Sequence, residues 1–98
     1  MSVCLLTYEY VGDIVERRTP HREAHLAHIG RFSEERGLAV AGATGDPPTG
    51  ALFVFEHPDD PAAEAADFAA GDPYVAAGLV TAQRIEPWTV VANCWIAP

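Results

Sequence analysis

The feature that most constrains the fold is the order in which strand-like and helix-like segments alternate. Four runs rich in β-branched, aromatic and aliphatic residues, a composition typical of strands, lie at 3–11, 38–41, 51–56 and 81–91. Two helix-like segments, one amphipathic and one alanine-rich, lie at 19–36 and 62–70. The chain therefore predicts the order strand, helix, strand, strand, helix, strand.

Prolines and glycines mark where the helices start and stop. Thr19-Pro20 and Asp60-Pro61 each place a capping side chain before a proline, which is tolerated at the first helical position. Gly37 and Gly71 are expected to end the two helices, Gly37 as a left-handed C-terminal cap. Asp72-Pro73 repeats the start signal and predicts a further short helix.

The connections complete a fold prediction. Residues 44–50 contain Asp46-Pro47-Pro48 and predict a hairpin, and the last strand is expected to be interrupted near Pro87. With helices on one face of a four-stranded antiparallel sheet, this order is that of a ferredoxin-like α+β sandwich, here one domain over 1–98. The other sheet face would be apolar and uncovered, so we expect a homodimer that packs sheet against sheet.

Charge excludes several classes of partner. The formal net charge is -8, with 14 acidic residues against six basic ones. Nucleic acids and anionic membranes are bound through basic patches, so neither is an expected partner. All six basic residues are arginine, which excludes Schiff-base lysines and the phosphate-loop lysine. The first residues lack a basic segment and turn polar early, so we expect no signal peptide, no spanning helix and a cytoplasmic location.

Several catalytic groups are missing from the sequence. Ser2 and Ser33 are the serines, and neither lies in a Gly-x-Ser-x-Gly turn, so a serine hydrolase site is not expected. No glycine-rich dinucleotide loop is present, and we expect no cofactor. Cys4 and Cys94 lack paired spacing and are interpreted as buried thiols rather than as a disulfide.

His25 is a candidate reactive group on the first helix. At about 100° per residue, Ile29 and Phe32 lie within about 40° of it, so His25 faces the sheet and is expected to be half-buried. One interpretation is a core histidine bonded to backbone groups. The other is a general base, which needs a carboxylate to fix its tautomer and stabilise its charged form.

Asp72 is the candidate carboxylate, and it also has two interpretations. An aspartate before proline at a helix start is commonly an N-cap that needs no catalytic role. It is equally suited to orient His25 if the fold brings the two together. Spacing alone leaves both interpretations open.

A set of short motifs in a fixed order resembles the YCII (YciI-like) family. They are Arg22-Glu23-Ala24-His25-Leu26, Gly37-Leu38, Ala41-Gly42, Asp72-Pro73-Tyr74, Gly78-Leu79 and Pro87-Trp88. The resemblance implies a dimeric ferredoxin-like α+β domain with a proposed active site formed by a His-Asp pair, which corresponds to His25 and Asp72. It also implies that the family's arginine is Arg22 and its aromatic residue Tyr74. The family's substrates are mostly unassigned.

His21, His25 and His28 have the helical spacing of a possible metal site. The segment lacks the glutamate that directly follows the first histidine in zinc peptidases, and it places Arg22 between the candidate ligands. We therefore expect no metal. His21 and His28 are interpreted as solvated residues.

The remaining chemistry is proton transfer on a small organic, aromatic or polyketide-like substrate. Asp72 would orient His25, and Arg22 or Tyr74 would stabilise negative charge on an oxygen, as in elimination, dehydration, dehydrohalogenation or isomerisation. One alternative is a non-catalytic dimeric ligand-binding or accessory protein. Another is a cofactor-independent oxygenase or cyclase with Trp88 and Trp95 lining its pocket, although core or dimer packing suits these tryptophans better.

Overall fold

Four strands form one antiparallel sheet in the computed structural model, which describes residues 1–92. The strands are β1 (Ser2–Tyr10), β2 (Leu38–Thr44), β3 (Gly50–His57) and β4 (Val80–Pro87). Their order in the sheet is β2-β3-β1-β4, so the strand nearest the N-terminus lies inside the sheet. Since the helices pack on one face, the predicted ferredoxin-like sandwich is confirmed.

Four helices connect the strands: α1 (Ile14–Arg17), α2 (Arg22–Glu35), α3 (Pro61–Gly71) and α4 (Pro73–Ala76). The short α1 was not predicted, and the expected helix start at Thr19 is instead a 3-10 turn over Thr19–His21 without a side-chain cap. The Asp60 cap is confirmed, because its Oδ1 accepts a hydrogen bond of 3.1 Å from the Ala63 amide. None of the helices within residues 1–92 has the length and apolar character needed to cross a bilayer.

Gly37 ends α2 in the predicted left-handed conformation, with φ of +80°. It also lies against β3, since a Cβ atom at this position would collide with the carbonyl oxygen of Glu56. The Gly37 carbonyl accepts a hydrogen bond of 2.8 Å from the Glu56 amide. A residue without a side chain is therefore required both for the turn and for the close approach of the two backbones.

The core between the sheet and the helices is built around aromatic rings. Phe68 on α3 is 0% exposed. Its ring centroid lies 4.8 Å from Phe53, 5.8 Å from Phe55 and 5.2 Å from Phe32 of α2. This one side chain therefore joins two helices to the central strands.

The opposite sheet face carries apolar side chains on β1, β2 and β3, whereas Arg84 and Glu86 of β4 lie on it opposite Thr7 and Leu5. Leu5 of β1 and Val40 of β2 both pair with Val54 of β3, and Leu52 points to this same face and is 36% exposed. The last strand ends at Pro87, earlier than the predicted Val91.

Replacing Phe68 tests its role at the centre of the core. Phe68→Ala should lower the free energy of unfolding by about 3–5 kcal/mol, because it removes a fully buried ring and leaves a cavity between α2, α3 and the sheet. Val91 is 94% exposed, and Val91→Ala should change stability by less than about 0.5 kcal/mol. Urea unfolding followed by circular dichroism measures both, and similar losses in the two variants would contradict the assigned core.

Candidate functional site

A buried carboxylate organises the candidate site. Asp72 lies between α3 and α4 and is 0% exposed. Its Oδ2 accepts a hydrogen bond of 2.7 Å from the Tyr8 hydroxyl, and its Oδ1 accepts one of 3.0 Å from the Tyr74 amide. Oδ1 also lies 2.7 Å from Nδ1 of His25. Asp72 is therefore both the predicted N-cap of α4 and the partner of His25.

The contact with Asp72 fixes the tautomer of the neutral His25 ring. His25 is 5% exposed, more deeply buried than the half-buried position expected from its helix face. A carboxylate has no proton to give, so Nδ1–H is the donor and Nε2 of the neutral imidazole carries the lone pair. Within residues 1–92 no protein group hydrogen-bonds to Nε2. This nitrogen is free to accept a proton.

Tyr74 holds the imidazole from its other side. The two rings stack with their centroids 3.6 Å apart and an interplanar angle of 5°. Tyr74 is 2% exposed, and its hydroxyl is buried without a hydrogen-bond partner in the described part of the chain. The His25 ring is thus held by a hydrogen bond in its plane and by an aromatic ring against its face.

An open cavity of about 260 Å³ lies beside His25, between α2 and the inner face of β2 and β3. On its sheet side, small side chains leave room: Ala43 pairs with Ala51 at the ends of the two strands, and Ala41 lies opposite Phe53, which also lines the cavity. An apolar cavity of about 150 Å³ holds benzene. The site therefore has room for a substituted single ring.

The rim of this cavity is positively charged. Arg18, Arg22 and Tyr10 line it together with His25, and no acidic residue is among its lining residues. Burial raises the pKa of Tyr10, and nearby Tyr74 and Asp72 raise it further, while Arg18 and Arg22 oppose the shift. Tyr10 therefore presents a neutral phenol at physiological pH.

Tyr8 stays a hydrogen-bond donor for a similar reason. Burial raises its pKa most, and the charge of Asp72 and the hydrogen bond to it add to the shift. The phenol cannot ionise beside the carboxylate at physiological pH. The Tyr8 hydroxyl is therefore a permanent donor to Oδ2.

All four site residues named from the sequence lie at this site. His25 and Asp72 are in direct contact, and Arg22 and Tyr74 line the same cavity as His25. Sequence reasoning missed Tyr8, Tyr10 and Arg18. Because side chains alternate along β1, Tyr8 and Tyr10 share the sheet face that packs against the helices, and this alternation could have identified both as candidate site residues. For Arg18, the sequence offered only one signal, its spacing of four residues from Arg22.

The interpretation of His28 as a solvated residue is wrong. His28 is 8% exposed, its Nε2 donates to the Phe68 carbonyl at 2.8 Å, and its ring packs against Phe32 and Phe68. His21, by contrast, is partly exposed at the N-cap position of α2. In residues 1–92 no three His, Cys, Asp or Glu side chains are grouped as metal ligands.

The remaining candidates from the sequence lie away from the cavity or outside the described residues. Cys4 is buried as predicted, and burial followed by the charge of Asp60 raises its pKa, so it is an unreactive thiol. Trp88 is 41% exposed and does not line the cavity. Cys94 and Trp95 lie outside the described residues.

Comparison with known proteins identifies a family and a fold. The profile of the YCII-related domain matches residues 1–89. No curated protein sequence is significantly similar to the chain. The solved structures that resemble it include 5-chloro-2-hydroxyhydroquinone dehydrochlorinase (TftG) from Burkholderia phenoliruptrix, in complex with 2,5-dihydroxybenzoquinone. That likeness has a TM-score of 0.71 and 24% identity over 89% of this chain and 93% of the other.

Two further solved structures share the fold. A putative antibiotic biosynthesis monooxygenase from Nitrosomonas europaea has a TM-score of 0.62 and 15% identity, over 94% of this chain and 100% of the other. A NIPSNAP family protein from Agrobacterium tumefaciens has a TM-score of 0.60 and 16% identity, over 90% of each chain. At these identities the likeness shows the fold, and any role of the site has to be argued from its own residues.

The hydrogen bond from Tyr8 can be tested through stability. Tyr8→Phe should lower the free energy of unfolding by about 1–3 kcal/mol, because Oδ2 of Asp72 stays buried without its donor. Tyr10→Phe is the matched control: the Tyr10 hydroxyl makes no hydrogen bond within residues 1–92, and its loss should change stability by less than about 0.5 kcal/mol. Urea unfolding measures both variants. A Tyr8→Phe protein as stable as the control would refute the assigned role of the hydroxyl.

Proposed function

The chain belongs to the YCII-related domain family, and we propose that it is a cofactor-independent enzyme that uses His25 and Asp72 for general acid/base chemistry on a small organic substrate. One observation carries the proposal: Nδ1 of His25 is hydrogen-bonded to a fully buried carboxylate at 2.7 Å, while Nε2 has no partner within residues 1–92 and the ring lines an open cavity. A histidine packed only for structure would have no need of that cavity.

In the proposed mechanism, Nε2 of His25 removes a proton from the substrate. The positive charge that forms on the imidazole is stabilised by Asp72, whose carboxylate is held in place by Tyr8 and the Tyr74 amide. Arg22, on the cavity wall, stabilises negative charge that develops on a substrate oxygen. Tyr74 packs against the imidazole and keeps its plane fixed.

Elimination or isomerisation fits these groups best. In an elimination, the C–H electrons form the new double bond, the leaving group departs with its own electron pair, and His25 holds the proton. In an isomerisation, His25 returns the proton to another atom. The structural likeness to a dehydrochlorinase supports dehydrohalogenation as the first reaction to assay, with H⁺ and Cl⁻ as the products lost.

We also propose that the protein is a homodimer in which the sheet faces opposite the helices pack together. Leu5, Val40 and Leu52 lie around the buried Val54 on this face and are partly exposed, which supports this arrangement, because an exposed apolar patch on a sheet favours burial against a second copy.

The catalytic proposal predicts the effect of removing the base. His25→Gln and Asp72→Asn should each lower kcat by about 100-fold or more, since the first removes the proton acceptor and the second removes the charge that orients it. Chloride release from chlorinated hydroxyhydroquinones, and proton exchange in enolisable aromatic acids, are the measurements.

His21→Gln is the matched control for this experiment. It makes the same substitution at the start of the same helix, outside the cavity, and should retain turnover. If His25→Gln turns over a substrate of the wild-type protein at an equal rate, the general-base role is refuted. Retained ligand binding in that variant would then favour a binding protein.

The dimer proposal predicts that Leu52→Glu yields monomers, because it places a charge among the exposed apolar side chains of this sheet face. Val15→Glu, at a residue of α1 that is 43% exposed, should leave the assembly unchanged. Sedimentation velocity at micromolar concentration measures the mass. A monomeric wild-type protein would contradict the proposal.

A further inference from the structure

We propose that Arg18 and Arg22 together bind an anionic oxygen group of the substrate, so that the ligand of this cavity is a small single-ring acid, with a carboxylate or a comparably acidic oxygen. This deepens the proposed function by naming its substrate class, and Arg18 becomes a specificity-determining residue.

The first support is the way the arginines are paired. Arg17 lies 3.6 Å from Asp13, Arg36 binds Glu64 and Asp67, and Arg84 lies 3.0 Å from Glu86. No carboxylate of residues 1–92 comes within 4.0 Å of Arg18 or Arg22, although all 14 acidic residues lie in that range. In so acidic a chain, two guanidinium groups thus lack a carboxylate partner among the described residues.

The second support is where these two arginines lie. Arg18 follows α1, Arg22 begins α2, and the 3-10 turn between them brings both to the wall of the His25 cavity. Arg31, which also lacks a carboxylate partner in the described residues, lies instead against Nδ1 of His28 at 3.5 Å and away from the cavity. The charges of Arg18 and Arg22 also act together on the Tyr10 phenol, since both oppose the rise in its pKa.

The third support is the contrast between the two sides of the cavity. The sheet side is apolar, with Ala41, Ala43 and Phe53, and suits the ring or carbon body of a ligand. Planar guanidinium groups bind carboxylates through paired, charge-assisted hydrogen bonds. A net charge of -8 repels anions at long range, so binding of an acid requires local positive groups such as these.

A pair of probes that differ only in charge tests the inference. Dissociation constants of 2,5-dihydroxybenzoate and 2,5-dihydroxybenzamide are measured by NMR titration with the wild-type protein, Arg18→Gln and Arg17→Gln. We expect the wild-type protein to bind the acid about tenfold or more tightly than the amide, and Arg18→Gln to lose that preference. Arg17→Gln makes the same change in net charge next to Asp13 and should bind the acid within about twofold of wild type.

Any of four results would overturn the inference. Two concern the wild-type protein: no preference for the acid, or no binding of it at millimolar concentration. The others are unchanged acid binding in Arg18→Gln and an equal loss of acid binding in Arg17→Gln. Each is independent of turnover. The acid preference is also measured in His25→Gln, where it should persist. Turnover tests the proposed reaction and acid binding tests the anion site. A variant that loses one and retains the other therefore shows which of the two proposals fails.

Discussion

The arrangement of the site depends on one buried carboxylate and its three donors. Asp72 has no solvent exposure, and an ionised carboxylate in such a place is stable only if its oxygens are hydrogen-bonded. The donors come from β1, α2 and the first turn of α4, through Tyr8, His25 and the Tyr74 amide. The need to satisfy one charge thus fixes how these three elements meet, and it holds the His25 ring at the wall of the cavity.

Features determined by neighbouring residues could be predicted from the sequence. The caps at Asp60 and Asp72, the left-handed turn at Gly37 and the sheet-facing side of His25 all follow from local chemistry or from helical periodicity. The order of the strand-like and helix-like segments was enough to predict the fold. The resemblance to the YCII family then named His25 and Asp72 together, which no local rule does, because 47 residues separate them.

What could not be predicted depends on contacts between distant elements. His28 is buried because the end of α3 presents the Phe68 carbonyl to it, and nothing near His28 in the sequence indicates that. The role of Tyr8 depends on a contact with a residue 64 positions later. Arg18 reaches the cavity because a 3-10 turn, rather than the expected helix, precedes α2.

The double use of one oxygen atom has an evolutionary consequence. Oδ1 of Asp72 caps α4 and also binds the imidazole, so the folded chain and the proposed chemistry both depend on the same atom. A lineage without the proposed reaction would still need the aspartate to keep the helix start intact. Persistence of the aspartate among descendants is therefore a record of folding. A search for relatives that share the proposed chemistry should instead follow Arg18, which lines the cavity and has no carboxylate partner within residues 1–92.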